Sequence, residues 1–120
     1  MRIPIRHKDE KMASLICQFA AEYFSAESNK DSLMTIIKTD ILNKGKRAII
    51  FFTAWPREKE PQALEFAKRR RQDFRRFVMS KKSFGFAPMV DFAIDEGEHN
   101  RQRIDELLNE SPVENLDNKS

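Results

Sequence analysis

Hydrophobic and polar positions along this chain alternate between two periods, and the changes of period mark its elements. Met12, Leu15, Ile16, Phe19, Ala20, Tyr23 and Phe24 recur at three- and four-residue steps, which predicts a helix over residues 10–26 with one apolar face. Polar residues follow to Ser32. Two β-branched, apolar runs come next, L-M-T-I-I-K-T-D-I-L at 33–42 and R-A-I-I-F-F-T-A-W at 47–55. Only Asn43-Lys44-Gly45-Lys46 separates them, a turn in which Gly45 is available for positive φ. So tight a connection predicts an antiparallel hairpin. The nearly unbroken apolar character of the runs predicts that helices cover at least part of it.

Pro56 ends the second strand, and acids with Pro61 open a long helix expected to start near 58–61 and run to about Ser80. Residues 83–88 contain Gly85 and Pro88 and read as a loop. Residues 89–95 alternate Val90, Phe92 and Ile94 against Met89, Asp91 and Ala93, the pattern of a strand with one buried face. A short helix over 99–108 carries Ile104, Leu107 and Leu108. The expected organisation is an arm at 1–9, one α+β domain at 10–108, and an acidic, disordered tail at 109–120.

Charge changes this picture at the long helix. Of the 17 residues from Phe66 to Lys82, eight are basic (Lys68, Arg69, Arg70, Arg71, Arg75, Arg76, Lys81, Lys82) and Asp73 alone is acidic. The stretch carries +7 against +3 for the whole chain, so the remainder is net negative. Concentrated positive charge is the footprint of a polyanion-binding surface. Helices that are merely solvated interleave the two signs. Phe66, Ala67, Phe74, Phe77 and Val78 share one face, so the basic helix is mounted on a core. Lys68, Arg71, Arg75 and Lys82 fall on an adjacent stripe, with Arg69 and Arg76 beyond it. Arg70 is out of place, because a straight helix puts it in the middle of the apolar arc. Either its stem snorkels to solvent, or the helix bends there and Arg70 turns toward the bound polyanion.

Other chemistry finds little support. Chain length and 40% hydrophobic content with ten Phe suit one domain with a real core. No apolar run approaches a membrane span, and the first residues lack a signal-peptide core. A lone cysteine, Cys17, fits a reducing cytoplasm and reads as a small core residue. His7, His99 and Cys17 show no metal-ligand spacing, and three glycines form no phosphate loop. Asp40 is a strand acid with no partner that spacing can name. We therefore expect no enzyme, cofactor, metal, membrane or small-molecule substrate.

The order helix–strand–strand–helix–strand is that of a type II KH domain, yet the G-x-x-G loop by which that fold usually holds nucleic acid is absent. The C-terminal third, Pro88-Met89-Val90-Asp91-Phe92-Ala93-Ile94-Asp95 followed by Arg103-Ile104-Asp105-Glu106-Leu107-Leu108, resembles the ribosome-binding factor A family. That family has P-x-apolar-x-F, an Asp three residues past the Phe, and R-I-D-x-L-L closing the domain. Thr39-Asp40-Ile41 is similar to its T-D-V. Where the family bends its central helix with A-x-G, this chain has Arg70-Arg71-Gln72. The resemblance implies a KH-like, monomeric, cytoplasmic factor. Such a factor would bind the immature small ribosomal subunit and its rRNA and assist maturation. The residues themselves point to phosphate contacts from Lys68, Arg69, Arg71, Arg75 and Arg76, extended by Lys81 and Lys82. Two other classes remain open: a DNA-binding regulator, which would need a dimer face not evident here, and a module for an acidic protein partner.

Overall fold

The computed structural model of the chain describes residues 7–27, 32–81, 87–97 and 100–110. Helix α1 (His7–Glu27) leads into strands β1 (Leu33–Leu42) and β2 (Arg47–Trp55). Helices α2 (Glu60–Arg69) and α3 (Arg71–Ser80), strand β3 (Met89–Ile94) and helix α4 (Asn100–Glu110) complete the α+β fold. Helix α1 begins three residues before the expected boundary, inside the presumed arm, and α4 reaches two residues into the presumed tail. The rest of the arm and tail, most of the loop before β3, and Lys82 lie outside the described residues.

The sheet has the order β1-β2-β3, with β1 antiparallel and β3 parallel to β2. The expected hairpin forms, and its turn places Asn43, Lys44 and Gly45 all at positive φ. The Lys46 amide donates to the Asn43 carbonyl at 3.1 Å and closes it.

Strand β1 reaches its register through a bulge. Ile36 pairs with Phe52 and Lys38 with Phe51, so Ile37 is the extra residue. Strict alternation from Met34 and Ile36 would carry Lys38 and Asp40 into the core. The inserted residue swaps faces. Thr39 and Ile41 turn inward instead, opposite Ile50 and Ala48, while Lys38 and Asp40 pair with each other at 3.4 Å on the other face. Buried Thr39 shares a hydrogen bond with Cys17 of α1 at 3.2 Å. Cys17 is half-buried between α1 and β1.

One sheet face is covered by α1 over β1 and by α2 and α3 over β2 and β3. The main core lies between them, built from Ile16, Phe24, Ala48, Ile50, Phe52, Ala67, Phe74, Val78 and Phe92. At its centre three rings from three elements meet. Phe24 stacks on Phe74 at 6.1 Å and meets Phe92 edge-on at 5.3 Å, while Phe74 and Phe92 lie 6.0 Å apart. Such geometries add about 0.5–1.5 kcal/mol per pair beyond area burial.

The opposite face carries a second, smaller core: Ile49, Phe51 and Ala93 beneath Leu107, flanked by Leu42 and Ile104. This corrects the expectation of one buried face for β3, since Ala93 is fully buried. It also accounts for the unbroken apolar run of β2, whose even-numbered residues face α1–α3 and whose Ile49 and Phe51 face α4. Helix α4 is aimed by the turn after β3. The Asn100 side chain, almost fully buried, accepts from the Glu96 amide at 2.9 Å and donates to the Asp95 carboxylate at 2.7 Å. The Asp95 amide in turn donates to the Phe52 carbonyl at 2.8 Å. The motif Asp thus tethers the second helical layer to the sheet.

The expected single helix over 58–80 is two helices. A 3-10 turn at Arg57–Lys59 precedes α2, and the break between α2 and α3 falls on Arg70, with φ −98° and ψ 8°. Those angles lie in the sparsely allowed bridge region. The Arg70 amide closes α2 on the Ala67 carbonyl at 3.0 Å, and the Arg70 carbonyl opens α3 by accepting from Phe74 at 2.8 Å.

Candidate nucleic-acid interface

The central helix breaks at Arg70 instead of running straight. The local turn lifts it out of the apolar arc while Ala63 and Ala67 before it, and Phe74 and Val78 after it, stay in one core. The half-buried Arg70 guanidinium then lies over the Phe66 ring, 5.0 Å from its centre. The bend is present, and Arg70 packs on its own helix.

The break also divides the basic stripe into residues with different partners. Lys68 and Arg69 end α2 with no side-chain partner among the described residues, Arg69 exposed and Lys68 half so. Arg71 opens α3 and reaches around the open edge of β3 to bind Asp91 at 3.0 Å. Arg75, one turn on, donates from Nε to the Pro88 carbonyl at 2.9 Å and from Nη2 to the Ala87 carbonyl at 2.8 Å. These two arginines therefore clamp α3 to the start of the edge strand. Arg76, 70% exposed, pairs with Asp73 within its own helix. Lys81 lies 4.5 Å from the centre of the Phe77 ring and 3.7 Å from Glu22 of α1. Of the eight expected contact residues, all but Lys82 are described, and they make α2 and α3 a basic ridge with Arg71 and Arg75 on its β3 flank and Lys81 on its α1 flank.

Among the described residues, Arg71, Arg76 and Lys81 meet carboxylates, whereas the partners of Arg75 are neutral carbonyls that leave its charge uncancelled. The exposed ion pairs weaken the ridge's field only modestly, because solvent-exposed pairs hold about 0–1 kcal/mol each and exchange partners readily. The ridge stays positive, and its end nearest β3 is fixed by the fold.

Sequence reasoning missed the cations that join this ridge from the sheet. Arg47, the first residue of β2, binds the same Asp91 at 2.6 Å, and Lys44 and Lys46 stand exposed in the adjoining turn. The Lys46 carbonyl accepts from the Met89 amide at 2.9 Å, so the turn and the beginning of β3 are side by side. A lone acid on the outward face of an otherwise apolar strand was the only signal. Its pairing with residues 20 and 44 positions away follows from topology rather than local pattern.

Among the described residues, no helix is long and apolar enough to cross a membrane. A groove of about 420 Å³ lies elsewhere, between α2 and α4, lined by Leu64, Ile94, Glu96, Gln102, Arg103 and Glu106. It is open and mixed in polarity, and the basic ridge does not contribute to it.

No family model matches the sequence, and no curated protein matches it. Solved structures do. Ribosome-binding factor A from Thermus thermophilus superposes with a TM-score of 0.64 at 15% identity, over 72% of this chain and 94% of that one. The solution structure of a Thermotoga maritima protein, proposed to be a ribosome binding factor A, gives 0.63 at 18% identity over 80% and 94%. The α+β architecture read from element order is the fold of ribosome-binding factor A.

Proposed function

We propose that this chain is a small-subunit assembly factor that binds RNA through the α2–α3 ridge. The observation that carries this reading is the ridge itself: a broken basic helix whose cations are only partly neutralised, held rigidly on a ribosome-binding factor A fold. Phosphate oxygens are its natural ligands, since arginine forks and lysines on a folded helix position a nucleic-acid backbone without requiring base readout. Lys68, Arg69 and Arg76, which bind no other element among the described residues, supply the adaptable contacts, and Arg70, Arg71, Arg75 and Lys81 the fixed ones. Lys82 extends the same run. The chain acts as a non-enzymatic, cytoplasmic monomer on the immature small ribosomal subunit and its rRNA, assists maturation, and leaves afterwards. The second helical layer at α4 and the acidic C-terminal end are kept away from the RNA by their charge: from Asp95 onward there are eight acids and three bases.

Co-sedimentation tests this reading. Purified protein is expected to travel with small subunits at low salt, to prefer immature over mature ones, and to come off as salt rises. Equal binding to both kinds of subunit removes the assembly role while leaving RNA binding in place.

A further inference from the structure

Asp91 sits on the face of β3 turned away from α1–α3, and each of its carboxylate oxygens is taken by an arginine from a different element. Oδ2 accepts from Arg47 Nη2 of β2 at 2.6 Å, and Oδ1 accepts from Arg71 Nη1 of α3 at 3.0 Å. The side chains grade from inside to outside: Arg47 is 14% exposed, Asp91 19% and Arg71 44%. The inner pair is therefore an anchor and Arg71 is the end that faces solvent. Arg71 commits one nitrogen to Asp91, and its Nε and second Nη have no partner among the described residues. A guanidinium is planar and donates five N–H bonds in a fixed fork, so holding one nitrogen aims the remaining edge.

We propose that Asp91 is a positioning residue for RNA binding, holding the Arg71 fork toward a phosphate and joining α3 to the cations of the β1–β2 turn in one continuous track. The proposal rests on the RNA-binding reading above. Without Asp91, Arg71 is one more long side chain free to rotate, and the nearly buried Arg47 has lost its counter-charge. The ordering entropy of Arg71 is then lost on binding instead of on folding.

The sign of the effect separates this role from simple charge. Asp91 is an acid within a polyanion-binding surface, so charge alone says that removing it tightens binding. Positioning says that removing it weakens binding. Affinity for purified small-subunit ribosomal RNA is measured in Asp91→Asn, Asp91→Glu, Arg71→Gln, Arg71→Lys and the Asp91→Asn/Arg71→Gln double variant, with the folded fraction followed by circular dichroism. Asp91→Asn is expected to bind about tenfold more weakly than wild type, the scale of one charge-assisted hydrogen bond. Asp91→Glu regains most of the loss, and Asp91→Asn adds nothing further once Arg71 is Gln. Arg71→Gln and Arg71→Lys leave the Arg47–Asp91 anchor intact, so they report on the fork even if Asp91→Asn fails to fold. Arg71→Lys keeps the charge but not the fork and is expected to bind as weakly as Arg71→Gln. Binding by Asp91→Asn at or above wild-type strength, or wild-type binding by Arg71→Lys, overturns the positioning role. Losses from Asp91→Asn and Arg71→Gln that multiply in the double variant overturn it as well. A wild-type chain with no salt-dependent affinity for this RNA instead removes the RNA-binding reading, and the Asp91 role falls with it.

Discussion

The Arg70 guanidinium stands 5.0 Å from the centre of the Phe66 ring, one turn earlier in the chain, at the point where the central helix breaks. This contact gives the charge somewhere to go once the turn at Arg70 has taken it out of the core. An exposed or half-exposed cation–π pair contributes about 0.5–1 kcal/mol. Arg70→Ala is expected to lower stability by about that amount in urea denaturation. It also weakens RNA binding for all sequences alike, making the salt slope shallower by about one contact. Wild-type affinity with undiminished salt dependence in Arg70→Ala would show that Arg70 takes no part in the site.

Phe74 is fully buried and meets Phe24, Phe92 and Tyr23, so it ties α3 to α1 and β3. Phe74→Ala is expected to cost about 3–5 kcal/mol, because the neighbouring rings cannot collapse into the space. Leu107→Ala tests the smaller core on the other face, and about 2–4 kcal/mol is expected if α4 is as firmly seated as the burial of Leu107 indicates. Chemical denaturation with a single transition measures both.

Ile37 separates a side-chain effect from a backbone one. Its side chain is 46% exposed, so Ile37→Thr is expected to change stability by less than about 0.5 kcal/mol. Deleting Ile37 removes the bulge and joins Ile36 directly to Lys38, so Met34, Ile36, Thr39 and Ile41 keep facing the main core while Lys38 and Asp40 keep the other face. Cooperative unfolding retained in the deletion is the expected result, and its loss would show that β1 needs the local twist of the bulge itself.

The strands, the hairpin and the misfit of Arg70 were legible because each is written in local pattern: β-branched runs, a four-residue turn, a cation in an apolar arc. The bulge at Ile37 was less so. Its trace was that strict alternation buries Lys38 and Asp40, which no stable strand tolerates without partners. The second core was hidden because Ile49, Phe51 and Ala93 gain their cover from α4, an element distant in sequence with a weak apolar stripe of its own. In the same way, the basic run marked the ridge but not the division of labour within it. Nothing local distinguishes Arg71 and Arg75, which hold the edge strand, from Lys68 and Arg69, which do not. That difference is made by Ala87, Pro88 and Asp91 arriving beside α3 when the sheet closes.

The division of labour dictates how the RNA-binding claim is best tested. Charge reversal at Arg71 or Arg75 would disturb β3, so a loss of binding there would be ambiguous. Lys68, Arg69 and Arg76 carry no bond to another element among the described residues, and replacing all three with Glu is expected to leave the melting transition nearly unchanged. The decisive measurement is the affinity of this triple variant and of wild type for immature small subunits across a salt series. For wild type, log K is expected to fall with log salt by roughly 0.7–0.9 per phosphate contact, over about four to six contacts. The triple variant is expected to lose binding at every salt concentration while remaining folded. A folded variant that binds with wild-type affinity and slope would contradict the placement of the RNA on the α2–α3 ridge.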